Sequence, residues 1–169
     1  MTAESRTAVL TGGCQCGAVR YALYKRPVGT HVCHCRMCQK AVGGPFAALA
    51  PVRRADFAWT RGAPGNFVSS TVAARQFCAN CGTPLTFYYT NGERISVTVG
   101  SLDQVDQVPA IRQYGMESRV SWLDHVVGLQ ASTTEEDMTA SRKARIVDFQ
   151  HPDHDTPPDW APPGSPSGG

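Results

Sequence analysis

The chain has 169 residues, of which 41% are hydrophobic and 18% charged, a composition typical of one folded domain that excludes wholesale disorder. Its 16 basic and 14 acidic residues give a formal net charge of +2, too small to indicate nucleic acid or an anionic membrane as partner. Seven residues are cysteine, an odd number that cannot be fully paired in disulfides.

The first ten residues lack the pattern of a secretory signal. Glu4 stands where a cationic region is expected, and only Val9 and Leu10 follow in place of an apolar run. No stretch has the ~18 apolar residues needed to cross a bilayer. We therefore predict a cytoplasmic protein, in a reducing compartment where closely spaced cysteines hold metal more often than each other.

Alternating apolar and polar residues predict a mainly β domain of short antiparallel strands. The first is a half-buried strand in which Val19, Tyr21 and Leu23 share one face and Arg20 lies on the other. Further strands are predicted over residues 46–52, 57–60, 67–70, 74–77, 85–90 and 95–99. Asn91-Gly92, between the last two, predicts a hairpin. Residues 36–41 form the one helical segment predicted within this region.

The C-terminal part of the chain differs in composition. We place the β domain at residues 1–130 and a helical extension with a poor apolar stripe at residues 131–149. Six of the twelve prolines follow position 150, so residues 150–169 are predicted to form a disordered tail rich in Pro and Gly. We expect His151 and His154 to lie in solvent within that tail.

The cysteines form three local groups: Cys14-Gln-Cys16, Cys33-His-Cys35-Arg-Met-Cys38 and Cys78-Ala-Asn-Cys81. Two short pairs together complete a closed tetrahedral zinc site with bonds of ~2.3 Å. We therefore predict a structural site made of Cys14, Cys16, Cys78 and Cys81. The remaining triplet, Cys33, Cys35 and Cys38, then forms a second site with one open position, which is typical of catalytic zinc.

Two alternatives follow from the same residues. His31 precedes the triplet at ligand spacing and would close the second site, which would make both zinc ions structural and the protein a binding module. A CxxC pair is also used in thiol redox proteins, although the βαβ pattern that surrounds such pairs is missing from this sequence.

The cysteine motifs resemble those of the glutathione-dependent formaldehyde-activating family, also called the CENP-V/GFA domain family. The resemblance covers residues 11–125 and rests on four segments: Gly13-Cys14-Gln-Cys16-Gly17, Cys33-His-Cys35-Arg-Met-Cys38-Gln-Lys40, Phe77-Cys78-Ala-Asn-Cys81-Gly82-Thr83-Pro84-Leu85 and Val97-Thr-Val-Gly100-Ser-Leu-Asp103. It implies a β-tent-like fold with two zinc ions per chain. It also implies that the four-cysteine set is structural and that Cys33, Cys35 and Cys38 are catalytic.

The resemblance implies a carbon–sulfur lyase that condenses formaldehyde with glutathione to S-hydroxymethylglutathione, or acts on a related thiol adduct. The alternative is a non-catalytic thiol carrier or adaptor on the same zinc scaffold. The chain departs from the family pattern at Gln113, where members often carry His.

Glutathione is an anion, so its groove should present cations. Arg36 lies inside the triplet and Lys40 just after it, which makes these two the predicted substrate-binding residues. Other candidates for binding a carboxylate are Arg53, Arg54, Arg75 and Arg112.

Overall fold

A computed structural model describes residues 6–162 and confirms the mainly β fold of short antiparallel strands. Within these residues there are ten strands: β1 Leu10–Gly13, β2 Arg20–Leu23, β3 His31–Cys33, β4 Ala47–Arg53, β5 Phe57–Arg61, β6 Gly65–Ser70, β7 Ala73–Phe77, β8 Pro84–Tyr89, β9 Arg94–Thr98 and β10 Arg112–Tyr114. Two α-helices accompany them, α1 Arg36–Val42 and α2 Ala140–Lys143. No helix of the described part is long and apolar enough to cross a membrane.

The strands form two sheets. The smaller is antiparallel with strand order β1-β2-β5, and the larger has seven strands in the order β10-β3-β4-β9-β8-β7-β6. All pairs in the larger sheet are antiparallel except β10, which runs parallel to β3. The predicted hairpin joins β8 to β9, and Gly92 N–H donates to Tyr89 O at 3.0 Å in its turn.

The period-two pattern of β4 separates the main core from a second face of the large sheet. Ala50 and Val52 are buried in one cluster with Tyr21 and Leu23 of the small sheet. Leu49, which directly precedes Ala50 in β4, instead belongs to a separate cluster around Cys38. Because alternate residues of a strand point to opposite faces, the large sheet covers the core with one face and presents the other to a functional site.

The predicted half-buried strand is wrong in one respect, because all four residues of β2 are buried. Arg20 is 3% exposed and donates to both carboxylate oxygens of Asp103, at 2.8 and 2.5 Å. Asp155 accepts a further hydrogen bond from the same guanidinium at 2.9 Å. β2 is the middle strand of its sheet, so a charged residue there is covered on its outer face and must be paired.

Residues 150–162 have no helix or strand, as the prediction of an unstructured tail requires, but they pack against the domain. The expectation that His151 lies in solvent is wrong. His151 is 8% exposed, its N–H donates to Gln15 O at 2.7 Å, and its ring lies edge-on to Trp160. Arg61, the last residue of β5, donates to Thr156 O at 2.9 Å and so ties Thr156 to the small sheet. Residues 163–169, the rest of the predicted tail, lie outside the described residues.

The predicted extension over 131–149 contains the single-turn helix α2, capped by the Thr139 hydroxyl, which accepts from Arg142 N–H at 3.3 Å. Ile146 and Val147 beyond it are exposed, so no apolar stripe supports a longer helix. Sequence analysis missed strands β1, β3 and β10 and a 3₁₀ helix, Ser121–Gly128. A three-residue strand is too short to show a period. The domain boundaries at residues 130 and 149 stay predictions.

The buried ion pair of Arg20 yields a stability prediction. We expect Asp103→Asn to lower the free energy of unfolding by about 3 kcal/mol, since a buried guanidinium loses the buried one of its two charged partners and keeps only the exposed Asp155. Urea unfolding at fixed zinc concentration measures this change. Asp124→Asn is the matched control, because Asp124 pairs with Arg119 in solvent, and it should leave the midpoint unchanged. Equal midpoints for the two variants would contradict the assignment.

Candidate metal centres and cleft

Four cysteines from two distant parts of the chain meet at one point. Cys14 and Cys16 follow β1, whereas Cys78 and Cys81 follow β7. All four sulfurs lie within 4.8 Å of one another, with 3.5 Å between those of Cys14 and Cys16 and 3.7 Å between those of Cys16 and Cys78. A tetrahedral zinc site with ~2.3 Å bonds needs sulfur separations of about 3.8 Å. The cluster therefore fits a closed four-sulfur metal site.

Each cysteine pair is held by a tight turn that ends on glycine. Gly17 N–H donates to Cys14 O at 3.0 Å, and Gly82 N–H donates to Cys78 O at 2.9 Å. Both glycines have positive φ, 74° and 77°, a conformation that strains other residues. A side chain at Gly17 would also meet His151, with the Cβ 2.5 Å from its ring. The glycine after each pair is thus required by the turn.

Burial and hydrogen bonding act in opposite directions on these thiols. Burial raises the pKa of Cys14 and of Cys16 above the usual range of a thiol. Burial also acts to raise the pKa of Cys81, but hydrogen bonds from Thr83 and Cys16 outweigh it and bring that pKa to about 6. Four thiolates at this spacing repel one another, so full deprotonation requires a cation at their centre.

Thr83 connects the two turns, and sequence analysis assigned it no role. Its hydroxyl lies 3.2 Å from Cys81 Sγ and accepts from Gln15 N–H at 3.1 Å. The hydroxyl thus has the N–H of one turn as its donor and is free to donate to the sulfur of the other. The signal that could have identified it is its place one residue after Gly82, inside the third cysteine motif.

The second cluster is assembled around the start of α1. Cys33 is the last residue of β3, Cys35 is the N-cap of α1, and Cys38 lies in its first turn. Their sulfurs lie within 4.8 Å of one another. Cys35 Sγ accepts from Cys38 N–H at 3.4 Å, and Gly43 ends the helix at a φ of 63°. This helix confirms the helical segment predicted over residues 36–41.

The environments of the three thiols differ. Burial raises the pKa of Cys33 to about 12. For Cys35 burial acts in the same direction, but hydrogen bonds from the backbone N–H groups of Cys38 and Met37 and from the neighbouring thiols together outweigh it, and the pKa falls below its usual range. Cys35 is therefore more readily deprotonated than Cys33.

His31 does not close the second cluster. Its Nδ1 lies 3.0 Å from Gly29 O, and its ring lies edge-on to Tyr114 at 4.9 Å. His34 is 2% exposed and its Nε2 lies 3.0 Å from Gln113 Oε1, so the residue that departs from the family pattern pairs with a buried histidine. Within residues 6–162 the three-cysteine cluster has no fourth protein ligand. It therefore offers a metal ion one open position.

A cleft of about 810 Å³ opens in front of the three cysteines, on the face of the large sheet that points away from the core. Strand register builds it, because Arg75, Phe87, Ser96 and Pro51 lie opposite one another across four strands. Three arginines and no acidic residue line the cleft: Arg75, Arg94 and Arg112. Its volume is that of a small-molecule site, and its charge favours an anion.

The two predicted substrate-binding cations lie at different distances from this cleft. Arg36 is exposed, donates to Gln39 Oε1 and is not among the residues that line the cleft. Lys40 lines an adjoining groove of about 400 Å³, which shares Arg75 and Phe87 with the cleft. Arg75 and Arg112 belong to the wider set of candidates from sequence, and Arg94 was missed. Only the strand register shows which arginines face the cysteines.

Comparisons with known proteins agree with these centres. The family described as glutathione-dependent formaldehyde-activating enzyme matches residues 9–117. The chain belongs to this family. A Schizosaccharomyces pombe protein described as an uncharacterized lyase is 34% identical over 82 residues, 48% of this chain and 59% of that protein. A crystal structure of a Rhodobacter sphaeroides protein matches with a TM-score of 0.51 and 25% identity, over 61% of this chain and 98% of the other.

The comparison with the yeast protein names a reaction class for that protein but no substrate. The matched segment spans about three fifths of the length of the yeast protein, which is described as a lyase without a named substrate. The matched range in this chain includes all seven cysteines, since they lie between residues 14 and 81. Family membership and both cysteine clusters therefore refer to the same part of the chain.

Thr83 yields a prediction on metal retention. We expect Thr83→Val to weaken zinc binding at the four-cysteine centre about 10-fold, because Cys81 loses its hydroxyl donor and Gln15 N–H its acceptor. Competition with a chromogenic chelator measures this, in a Cys33→Ser background that disables the second centre. Thr90→Val is the control, since its hydroxyl donates to Val72 O in an exposed hairpin. Equal zinc affinities for the two variants would exclude the bridging role.

Proposed function

We propose that the protein is a zinc-dependent carbon–sulfur lyase that condenses an aldehyde such as formaldehyde with glutathione, or acts on a related thiol adduct. The observation that carries this proposal is the acid-free cleft with three arginines in front of three clustered cysteines. Family membership and the lyase described in yeast support the reaction class. We place the activity in the cytoplasm, which suits a chain whose seven cysteines are all free.

The charge of the cleft matches the charge of glutathione. This tripeptide carries two carboxylates and one ammonium group, and it gains a further negative charge when its thiol ionises. Arg112 and Arg94 extend from β10 and β9 on either side of the strands that carry Cys33 and Leu49. Arginine presents a planar fork of donors that suits a carboxylate. We propose that these cations hold the carboxylates and leave the thiol to reach the cysteines.

Two zinc ions per chain are part of the proposal. Cys14, Cys16, Cys78 and Cys81 would hold the structural ion, and Cys33, Cys35 and Cys38 would hold the catalytic one. A zinc ion bound by three thiolates supplies Lewis acidity and lowers the pKa of a thiol that occupies its open position. The protein would orient the substrate by its arginines, in a cleft whose lining includes the aromatic rings of Phe87, Tyr89 and Tyr114.

The proposed condensation is balanced without a redox partner. The glutathione sulfur forms a bond to the aldehyde carbon while the π electrons of the carbonyl move to its oxygen. That oxygen takes up the proton that the thiol loses, so no atom or electron is left over. Holding both reactants in one cleft replaces an encounter in solution with a step between bound neighbours.

The experiment that tests the proposal is a rate measurement. Exchange between glutathione and S-hydroxymethylglutathione is followed by magnetization-transfer NMR at equilibrium with formaldehyde, with and without the full chain. We expect the wild type to accelerate exchange at least tenfold over the uncatalysed reaction. The variant with Cys33, Cys35 and Cys38 all replaced by Ser should return the rate to background while keeping its circular dichroism spectrum.

The same assay separates the enzyme from a carrier. Glutathione binding by the wild type without acceleration would overturn the enzyme proposal in favour of the non-catalytic carrier. Acceleration that survives in the triple Ser variant would instead overturn the assignment of the reaction to the three-cysteine centre.

A further inference from the structure

Arg75 is the cleft arginine that contacts a metal-site cysteine. Its Nη2 donates to Cys38 Sγ at 3.3 Å, and its guanidinium carbon lies 4.8 Å from the centre of the Phe87 ring. Arg75 in β7 is the direct cross-strand partner of Phe87 in β8, so the sheet fixes the contact between the guanidinium and the ring. Arg75 is only half-buried and borders both the cleft and the adjoining groove.

The charge of the second centre gives this contact a role. Three thiolates around a divalent ion leave one negative charge in excess, which opposes the approach of an anionic thiolate. A guanidinium stays protonated at all physiological pH values, so Arg75 cancels that charge permanently. A charge-assisted hydrogen bond also withdraws electron density from Cys38 Sγ, which leaves the metal a stronger acceptor for another ligand.

The guanidinium position is set before any substrate arrives. The Phe87 ring covers one face of the guanidinium, and a cation over an aromatic face is stabilised in place. Cys38 is 5% exposed and fixed in α1, so the acceptor sulfur is equally constrained. A hydrogen bond between two fixed groups acts on the centre without a reorganisation step.

We propose that Arg75 is a positioning residue that, through Cys38 Sγ, neutralises the three-cysteine centre and so admits an anionic thiolate to it. The inference rests on the proposed function for the identity of that thiolate. This role of Arg75 differs from the carboxylate-binding role proposed for Arg94 and Arg112. Arg75 acts through a cysteine sulfur, so its effect applies to every thiol, whether or not the thiol carries charged groups elsewhere.

The test uses the full chain loaded with cobalt(II), whose sulfur-to-metal charge-transfer bands report on the ligand thiolates without turnover. Before any thiol is added, Arg75→Gln should shift these bands to lower energy, since Cys38 Sγ loses its cationic donor. Arg75→Lys, which keeps the positive charge, should have band energies between those of Arg75→Gln and the wild type. Arg94→Gln is the matched control and should leave the ligand-free spectrum unchanged.

Thiol binding is then titrated on the same cobalt proteins with glutathione and with mercaptoethanol, which is neutral outside its thiol. We expect Arg75→Gln to lower the affinity for both thiols about 10-fold. Arg94→Gln should lower the affinity for glutathione alone. An unchanged ligand-free spectrum in Arg75→Gln, or a loss confined to glutathione, would overturn the role through sulfur. Failure of the proposed function would look different. The wild type would then not catalyse the condensation, but Arg75→Gln would still shift the charge-transfer bands before any thiol is added.

Discussion

Mutual repulsion between closely spaced thiolates is the constraint on which the rest of this structure depends. Seven cysteines are gathered into two clusters whose sulfurs lie within 4.8 Å of one another, and neither cluster can ionise fully without a cation. In the first cluster the ligands come from the ends of β1 and β7, so a metal ion there ties the small sheet to the large one. Its binding free energy is then folding free energy.

The same strands that bury the core also shape the cleft. Ala50 and Val52 pack against the small sheet, while Leu49 and Pro51, which alternate with them along β4, face the cysteines and the arginines. A one-residue slip in register would exchange these faces. Core packing therefore specifies where Arg75 lies relative to Cys38, although Arg75 itself contributes little to the core. The segment with His151 and Trp160 covers the first cysteine turn from the outside.

The features that could be predicted from sequence are those that depend on short spacings along the chain. Short intervals between cysteines, each pair followed by glycine, were enough to divide the seven ligands into four and three. Asn91-Gly92 predicted its hairpin for the same reason. The burial of Arg20 was not predictable, because its partner Asp103 is 83 residues away and its cover comes from Asp155. The cleft arginines were not resolved either, since only cross-strand register brings Arg75, Arg94 and Arg112 to one face.

We infer that the protein has one closed metal centre and one open one. Native mass spectrometry of the full chain, compared with the variant in which Cys33, Cys35 and Cys38 are all Ser, tests it most directly. We expect two zinc ions in the wild type and one in the variant, with the same circular dichroism spectrum for both. A single zinc ion in well-folded wild-type protein, or two in the variant, would contradict it.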